Sequence, residues 1–152
     1  MSDLPDDGRR LDLHTRRMSP VTEIPPAPSA IAEQHFAALL SLETDCWDVH
    51  ESMASGDPGF VLLHVNGDQA GFDAGHVPGA TFLHHSTMTE ERMAEYPMDT
   101  LFVVYCSGPH CNGADRAARN LARLGRPVKK MIGGRIGWLD EGFELVGWSA
   151  GR

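Results

Sequence analysis

The sequence predicts an α/β fold: a mostly parallel sheet with helices on both faces. Two observations carry this. Short apolar runs alternate along the chain with stretches of helical period. One of those runs, Leu101–Tyr105, ends on Cys106 and leads through the loop Ser107–Gly113 into a helical pattern of Ala114, Ala117, Ala118, Leu121 and Leu124. Gly125 stops that helix and Pro127 prevents its continuing. The unit is a buried strand, a turn-rich loop and a helix, repeated less completely elsewhere.

In chain order, residues 1–28 hold five prolines, several acids and few large apolar groups, and read as an extended or disordered arm. An alternative is an arm that packs on a second copy of the chain through Leu11, Leu13 and Ile24, giving a homodimer. A single domain is expected over 29–148. Ser29 is expected to cap a helix over 30–40, with Ile31, Phe36, Leu39 and Leu40 in the core. Thr44 is expected to cap a second, 45–55, with Cys46 as core packing and Gly56 as its stop. Phe60–Val65 reads as a central strand broken only by His64, and Asn66-Gly67-Asp68 as a turn. Gly71–Ala80 reads as a tight connection to a short strand, Thr81–Leu83.

His84 and His85 follow. Adjacent strand residues point to opposite faces, and no ligand spacing supports a metal there. Met88–Ala94 reads as a short surface helix. Val128–Ile132 is a strand whose Lys129 and Lys130 suggest an edge or a strand mouth. Gly133-Gly134 is a sharp turn, and Ile136–Glu141 a helix anchored by Trp138 and ended by Gly142. The tail Phe143–Trp148 adds a small strand, and Gly151–Arg152 fray.

Bulk properties exclude several classes. A net charge of −8 with no basic block argues against a nucleic-acid partner. No apolar run is long enough to span a membrane. The N-terminus carries acids where a secretory leader has bases, so a cytoplasmic home is expected. Three cysteines, Cys46, Cys106 and Cys111, do not make a disulfide scaffold.

Cys106 stands where open α/β sheets place ligand chemistry, at the carboxyl end of a strand. Consecutive loop N–H groups and a following helix N-terminus concentrate positive partial charge there, which favours a thiolate. The functional expectation is a nucleophilic, sulfur-carrying or anion-binding cysteine; the plain alternative is a small buried residue. Ser107, Gly108, His110, Cys111, Asn112, Gly113 and Ala114 are the expected lining of the anion cradle, with Asn112 as helix cap.

Phe60–Val65, Gly75-His76-Val77-Pro78-Gly79-Ala80, Val103–Cys106, Ile132-Gly133-Gly134 and Trp138 together resemble the rhodanese-like domain in order and spacing, over roughly residues 35–147. The resemblance implies a five-stranded, mostly parallel sheet. It implies a sulfurtransferase of the thiosulfate type, in which a cysteine, Cys106 by position, takes sulfane sulfur as a persulfide and passes it to a thiol or to cyanide. The partners it implies are a small sulfur donor and a thiol acceptor, with no metal or organic cofactor.

This chain differs from that pattern at three places. Where many active relatives carry Asp, any residue, Arg after the strand's paired leucines, this chain has His64, Val65 and Asn66. His64 then bonds a backbone group or sits as a neutral, satisfied core histidine. The loop has no arginine, which weakens binding of the thiosulfate dianion unless Arg116, Lys129 or Lys130 compensates. The loop is long, as in phosphatases and arsenate reductases of related fold, but the sixth residue after Cys106 is Asn112 and not arginine, which disfavours phosphoryl chemistry. Two further readings stay open: a catalytically weak binding or regulatory module, and a thiol-redox or arsenate-type reductase using Cys106 with Cys111 as resolving thiol.

Overall fold

The computed structural model describes residues 18–148. The chain divides into two compact units, Met1–His35 and Phe36–Arg152. In the first, Ser19 and Thr22 close a turn through the Thr22 N–H to Ser19 carbonyl bond of 3.0 Å. Ile24 is exposed. The expected contacts of Leu11 and Leu13, and the frayed Gly151–Arg152, lie outside the described residues.

Helix α1 (Ser29–Leu42) starts at Ser29 rather than after it. None of its residues is buried: Ile31 is 58% exposed, Phe36 60% and Leu40 75%. The core role expected for them is therefore wrong. Apolar spacing on a helix signals a face, not what covers that face.

In the second unit, five parallel strands run in the order β1-β5-β4-β2-β3. They are β1 (Glu43–Thr44), β2 (Val61–His64), β3 (Thr81–Phe82), β4 (Phe102–Tyr105) and β5 (Val128–Met131). The helices are α2 (Cys46–Ala54), α3 (Gln69–Ala74), α4 (Glu90–Met93), α5 (Gly113–Arg123) and α6 (Gly134–Asp140). The fully buried β4 lies in the middle of the sheet, as its apolar run predicts.

Alternation along the strands sorts the core into two layers. Leu63, Val65, Phe102, Val104 and Cys106 face Met93 of α4 and Ala114, Ala117 and Leu121 of α5. Leu62, Val103, Tyr105 and Met131 face Cys46 and Val49 of α2 and Trp138 of α6. Cys106 and Tyr105, adjacent in sequence, thus belong to opposite layers.

Several local expectations are corrected. Thr44 lies in β1, and Asp45 caps α2, its Oδ1 accepting from the Asp48 N–H at 2.8 Å. The glycine-rich 71–80 stretch is not all connection, because Asp68 caps the short α3. Strand β5 is not an edge: β1 pairs with its outer side. Its lysines reach out along opposite faces, Lys129 Nζ to the Leu40 carbonyl at 2.9 Å and Lys130 Nζ to Asp115 at 2.9 Å. His84 and His85 do not sit on opposite faces of a strand. β3 ends at Phe82, His84 caps the 3₁₀ turn His85–Thr87, and the two rings lie 4.1 Å apart. Met93, on the helix expected to face solvent, is wholly buried. The tail contributes an isolated antiparallel bridge, His76 with Val146, rather than a strand. Among the described residues, no helix is long and apolar enough to cross a membrane.

Candidate functional site

The site lies at the carboxyl end of β4, where the direction of sheet winding reverses between β2 and β4. The loop leaves β4 at Cys106 and turns through Ser107–Asn112 into α5. Two backbone bonds from the start of α6 hold its first half: the Arg135 N–H donates to the Cys106 carbonyl and the Ile136 N–H to the Ser107 carbonyl, each at 2.9 Å. Gly134 permits this approach. It has φ +60°, and a Cβ there would stand 2.3 Å from the Cys106 carbonyl oxygen. The Cys111 N–H to Gly108 carbonyl bond of 3.1 Å closes the loop's second half.

Cys106 is 3% exposed and packs in the α5-facing layer. Its thiol lies in hydrogen-bond reach of the Cys111 carbonyl oxygen at 3.2 Å and of the Gly108 carbonyl oxygen at 3.8 Å. The amide N–H groups divide between the two sulfurs: Ala114 and Gly108 donate to Cys106, Gly113 and Ser107 to Cys111. Burial, and then the bond to Cys111, push the Cys106 thiol above its ordinary range despite its amides. At Cys111 burial also acts upward, but the Cys106 thiol and the two amides outweigh it and hold that thiol down. The two thiols are thus shifted in opposite directions, Cys106 up and Cys111 down. The expectation of a lowered Cys106 is corrected: of the two sulfurs, Cys106 is the more deeply buried, and it is the donor.

A cleft of about 160 Å³ opens beside the pair. Of the expected lining, Cys106, Gly108, Cys111 and Ala114 face it; Ser107, His110, Asn112 and Gly113 do not. The Ser107 hydroxyl turns away to accept from Asn66 Nδ2 at 2.8 Å. His110 is exposed. Gly113 packs tightly among Asn66, Cys106 and Cys111. Asn112 makes no side-chain cap; its Oδ1 accepts from Arg116 Nε at 3.2 Å, which keeps Arg116 off the cleft. Lys129 points elsewhere too, so among the described residues Lys130 is the one cation of the lining, held by Asp115 at 2.9 Å. Sequence reading missed Asp115 and the Met131–Gly134 wall. The signal was available in part, since a helix's first turn and the end of the neighbouring strand both abut such a loop.

His64, Tyr105 and Asn66 form a buried relay beneath the loop. The Val77 N–H donates to the Tyr105 hydroxyl at 3.0 Å, so that hydroxyl donates onward to His64 Nδ1 at 2.9 Å. His64 is therefore neutral with its proton on Nε2, which bonds the Asn66 backbone. This matches the satisfied core histidine and joins the Gly75–Ala80 segment to the loop through Asn66 and Ser107. Asn66 Oδ1 stays buried without a partner.

Burial foremost, with Arg135 and His76 nearby, lowers the His64 pKa from 6.5 to about 4. Unfolded chains take up a proton below 6.5 that the folded form refuses. Stability from this group is complete above that pH and falls as pH drops toward 4, by about 3 kcal/mol in all. Denaturant unfolding of wild type and His64→Gln at pH 7.5 and 4.5 checks this: the variant is expected to show a markedly smaller loss, and an equal loss would rule His64 out as its source.

Cys46, expected as core packing, is that. Its thiol donates to the Ile132 and Gly134 carbonyls at 3.5 and 3.7 Å in the layer opposite Cys106. Burial, then Asp45, Glu141 and Asp140, raise it to about 11, leaving it an inert thiol.

Comparison with known proteins agrees with this geometry. The family model for the rhodanese-like domain matches residues 48–141. A curated relative, the HTH-type transcriptional regulator Rv0324 of Mycobacterium tuberculosis, is 35% identical over 122 residues, which are 76% of this chain and 54% of the relative. The chain thus spans about half that relative's length. Among solved structures, the BH2092 protein of Bacillus halodurans superposes with TM-score 0.73 at 31% identity, covering 78% of this chain and 85% of that one. The rhodanese-like domain of Alr3790 from Anabaena sp. superposes at 0.59 with 21% identity over 68% and 76%, a likeness of fold alone. With its parallel sheet of five strands, its cysteine at the mouth of the central strand and a family match over most of its length, the chain belongs to the rhodanese-like domain family.

Proposed function

We propose that this chain is a sulfurtransferase carrying sulfane sulfur as a persulfide on Cys106, from a donor such as thiosulfate or a small persulfide to a thiol, or to cyanide in a test tube. The observation that supports it best is the paired thiols at the mouth of β4, each met by two backbone amides and both facing one cleft. Loss of the Cys106 proton gives the sulfur nucleophile that attacks the donor. The amides of Gly108 and Ala114 then stabilise the charge of the persulfide formed.

With Lys130 held by Asp115 and no arginine in the loop, a singly charged persulfide suits the cleft better than the thiosulfate dianion. Three unpaired cysteines suit the reducing cytoplasm. The test is thiocyanate formation from cyanide with each donor, alongside intact mass. Wild type is expected to take sulfur from the donor and turn over, with the larger kcat/KM for the persulfide. The added sulfur is read by mass on Cys111→Ser, and Cys106→Ser is expected neither to take sulfur nor to turn over. A wild-type protein that takes sulfur from no donor overturns this reading.

The buried Cys106 and the regulator among the relatives favour a second reading, a sulfur-responsive binding module without turnover. Its mark is a Cys106 that loads one sulfur but never passes it on.

A further inference from the structure

We propose that Cys111 resolves the Cys106 persulfide within the loop, releasing the sulfane sulfur as hydrosulfide and leaving a Cys106–Cys111 disulfide. This rests on the sulfur transfer to Cys106 proposed above and names its first acceptor: the protein's own second thiol.

The geometry is that of a pair already in contact. The Cys106 thiol is hydrogen-bonded to the Cys111 carbonyl oxygen at 3.2 Å, and a Cβ on Gly113 would touch both the Cys106 Cβ at 3.4 Å and the Cys111 sulfur at 3.5 Å. Glycine at 113 therefore leaves nothing between the two side chains. Both cysteines line the cleft through which a donor arrives. The third thiol, Cys46, is buried in the opposite layer and does not compete.

The steps balance. In the first, the Cys106 thiol loses its proton to solvent and its sulfur attacks the donor's sulfane sulfur. The donor's S–S bond breaks, and sulfite leaves from thiosulfate or a thiolate from a persulfide. In the second, the terminal sulfur of the Cys106 persulfide takes the proton of the Cys111 thiol. The Cys111 thiolate attacks the inner sulfur, the persulfide S–S bond breaks and hydrosulfide departs. Each cysteine sulfur is oxidised by one electron, and the sulfane sulfur is reduced by two. An external dithiol restores the pair by exchange.

Attack on the outer sulfur would instead expel the Cys106 thiolate. Burial pushes that thiol's pKa up, and more basic thiolates leave more slowly, which favours expulsion of hydrosulfide. The chain would then reduce sulfane sulfur at the expense of dithiols, beyond passing it intact to an acceptor.

The experiment uses the reduced full chain, freed of small thiols and given thiosulfate or a small persulfide until loading is complete. Sulfide, intact mass and disulfide position are then read. Wild type is expected to release one sulfide per chain and to end two hydrogens lighter, with the bond mapped to Cys106 and Cys111. Cys111→Ser and Cys111→Ala are expected to keep one extra sulfur and to release sulfide only when a dithiol is added. A wild-type protein that holds its extra sulfur with no disulfide overturns the inference while leaving the transferase reading intact. So does sulfide release from the Cys111 variants equal to that of wild type, or a disulfide mapped to Cys46. A wild-type protein that neither gains sulfur nor forms a disulfide with any donor overturns both.

Discussion

Gly134→Ala is expected to remove sulfur transfer almost entirely. The added Cβ would stand 2.3 Å from the Cys106 carbonyl oxygen, 2.8 Å from the Gly108 nitrogen and 3.0 Å from the Ser107 carbonyl carbon. All three are backbone atoms, so no rotamer change relieves the clash. The residue's φ of +60° adds left-handed strain of roughly 1–3 kcal/mol for a residue with a side chain. The loop must move off α6 and lose the bonds from Arg135 and Ile136 that fix Cys106 and Ser107. Displacing a nucleophile by about an ångström costs on the order of 100-fold in rate. Sulfur loading and cysteine alkylation rates, compared with wild type, check this. Gly125→Ala is the control: it also has positive φ, +74°, but nothing lies within 4 Å of its would-be Cβ. It is expected to cost about 1 kcal/mol of stability and leave the chemistry alone. Equal transfer by Gly134→Ala and wild type would refute the clamping role of α6.

The second large effect is on stability. Arg126 is buried, yet among the described residues it pairs with no carboxylate. Its guanidinium donates to three carbonyls, Nη1 to Tyr96 at 2.9 Å and Pro97 at 2.6 Å, and Nη2 to Met93 at 2.7 Å. It thereby ties the segment after α4 to the end of α5. The backbone places it there. Gly125 adopts positive φ, and the Arg126 N–H returns to the Leu121 carbonyl at 3.0 Å, a glycine-terminated helix end that turns the next side chain inward. Arg126→Met keeps much of the packing and removes every donor. The expected loss is about 3 kcal/mol, from buried carbonyls left unpaired, with a Tm roughly 10 °C lower. Denaturant and thermal unfolding measure it. A loss below about 1 kcal/mol would mean that water replaces the guanidinium at those carbonyls.

Most of the frame could be read from the residues because its signals are local. Strands β2 and β4 are nearly unbroken apolar runs, α5 has helical spacing ended by glycine, and the Gly133-Gly134 turn marks the end of β5. Strand β1 was missed because Glu43 and Thr44 carry no apolar pattern; their pairing with β5 alone makes them a strand. Helix α3 was hidden by Gly71 and Gly75, which read as turn punctuation although Asp68 marks the start. The core role of Ile31, Phe36 and Leu40 failed because both faces of the sheet are covered without them. At the site, Cys106 and Cys111 were legible from their place after the strand. The opposite shifts of the two thiols were not, because they depend on unequal burial and on the division of four amides between two sulfurs. Lys130 was legible as a cation at a strand mouth, but the partners of Lys130 and Arg126 come only from tertiary placement.

The sheet's two outermost strands, β1 and β3, are only two residues each. A visiting chain would find almost no free backbone rungs on which to extend the ladder, so edge-to-edge stacking and fibre growth from the folded state are disfavoured. Two copies of this protein, if they meet, must do so through side chains rather than by joining their sheets.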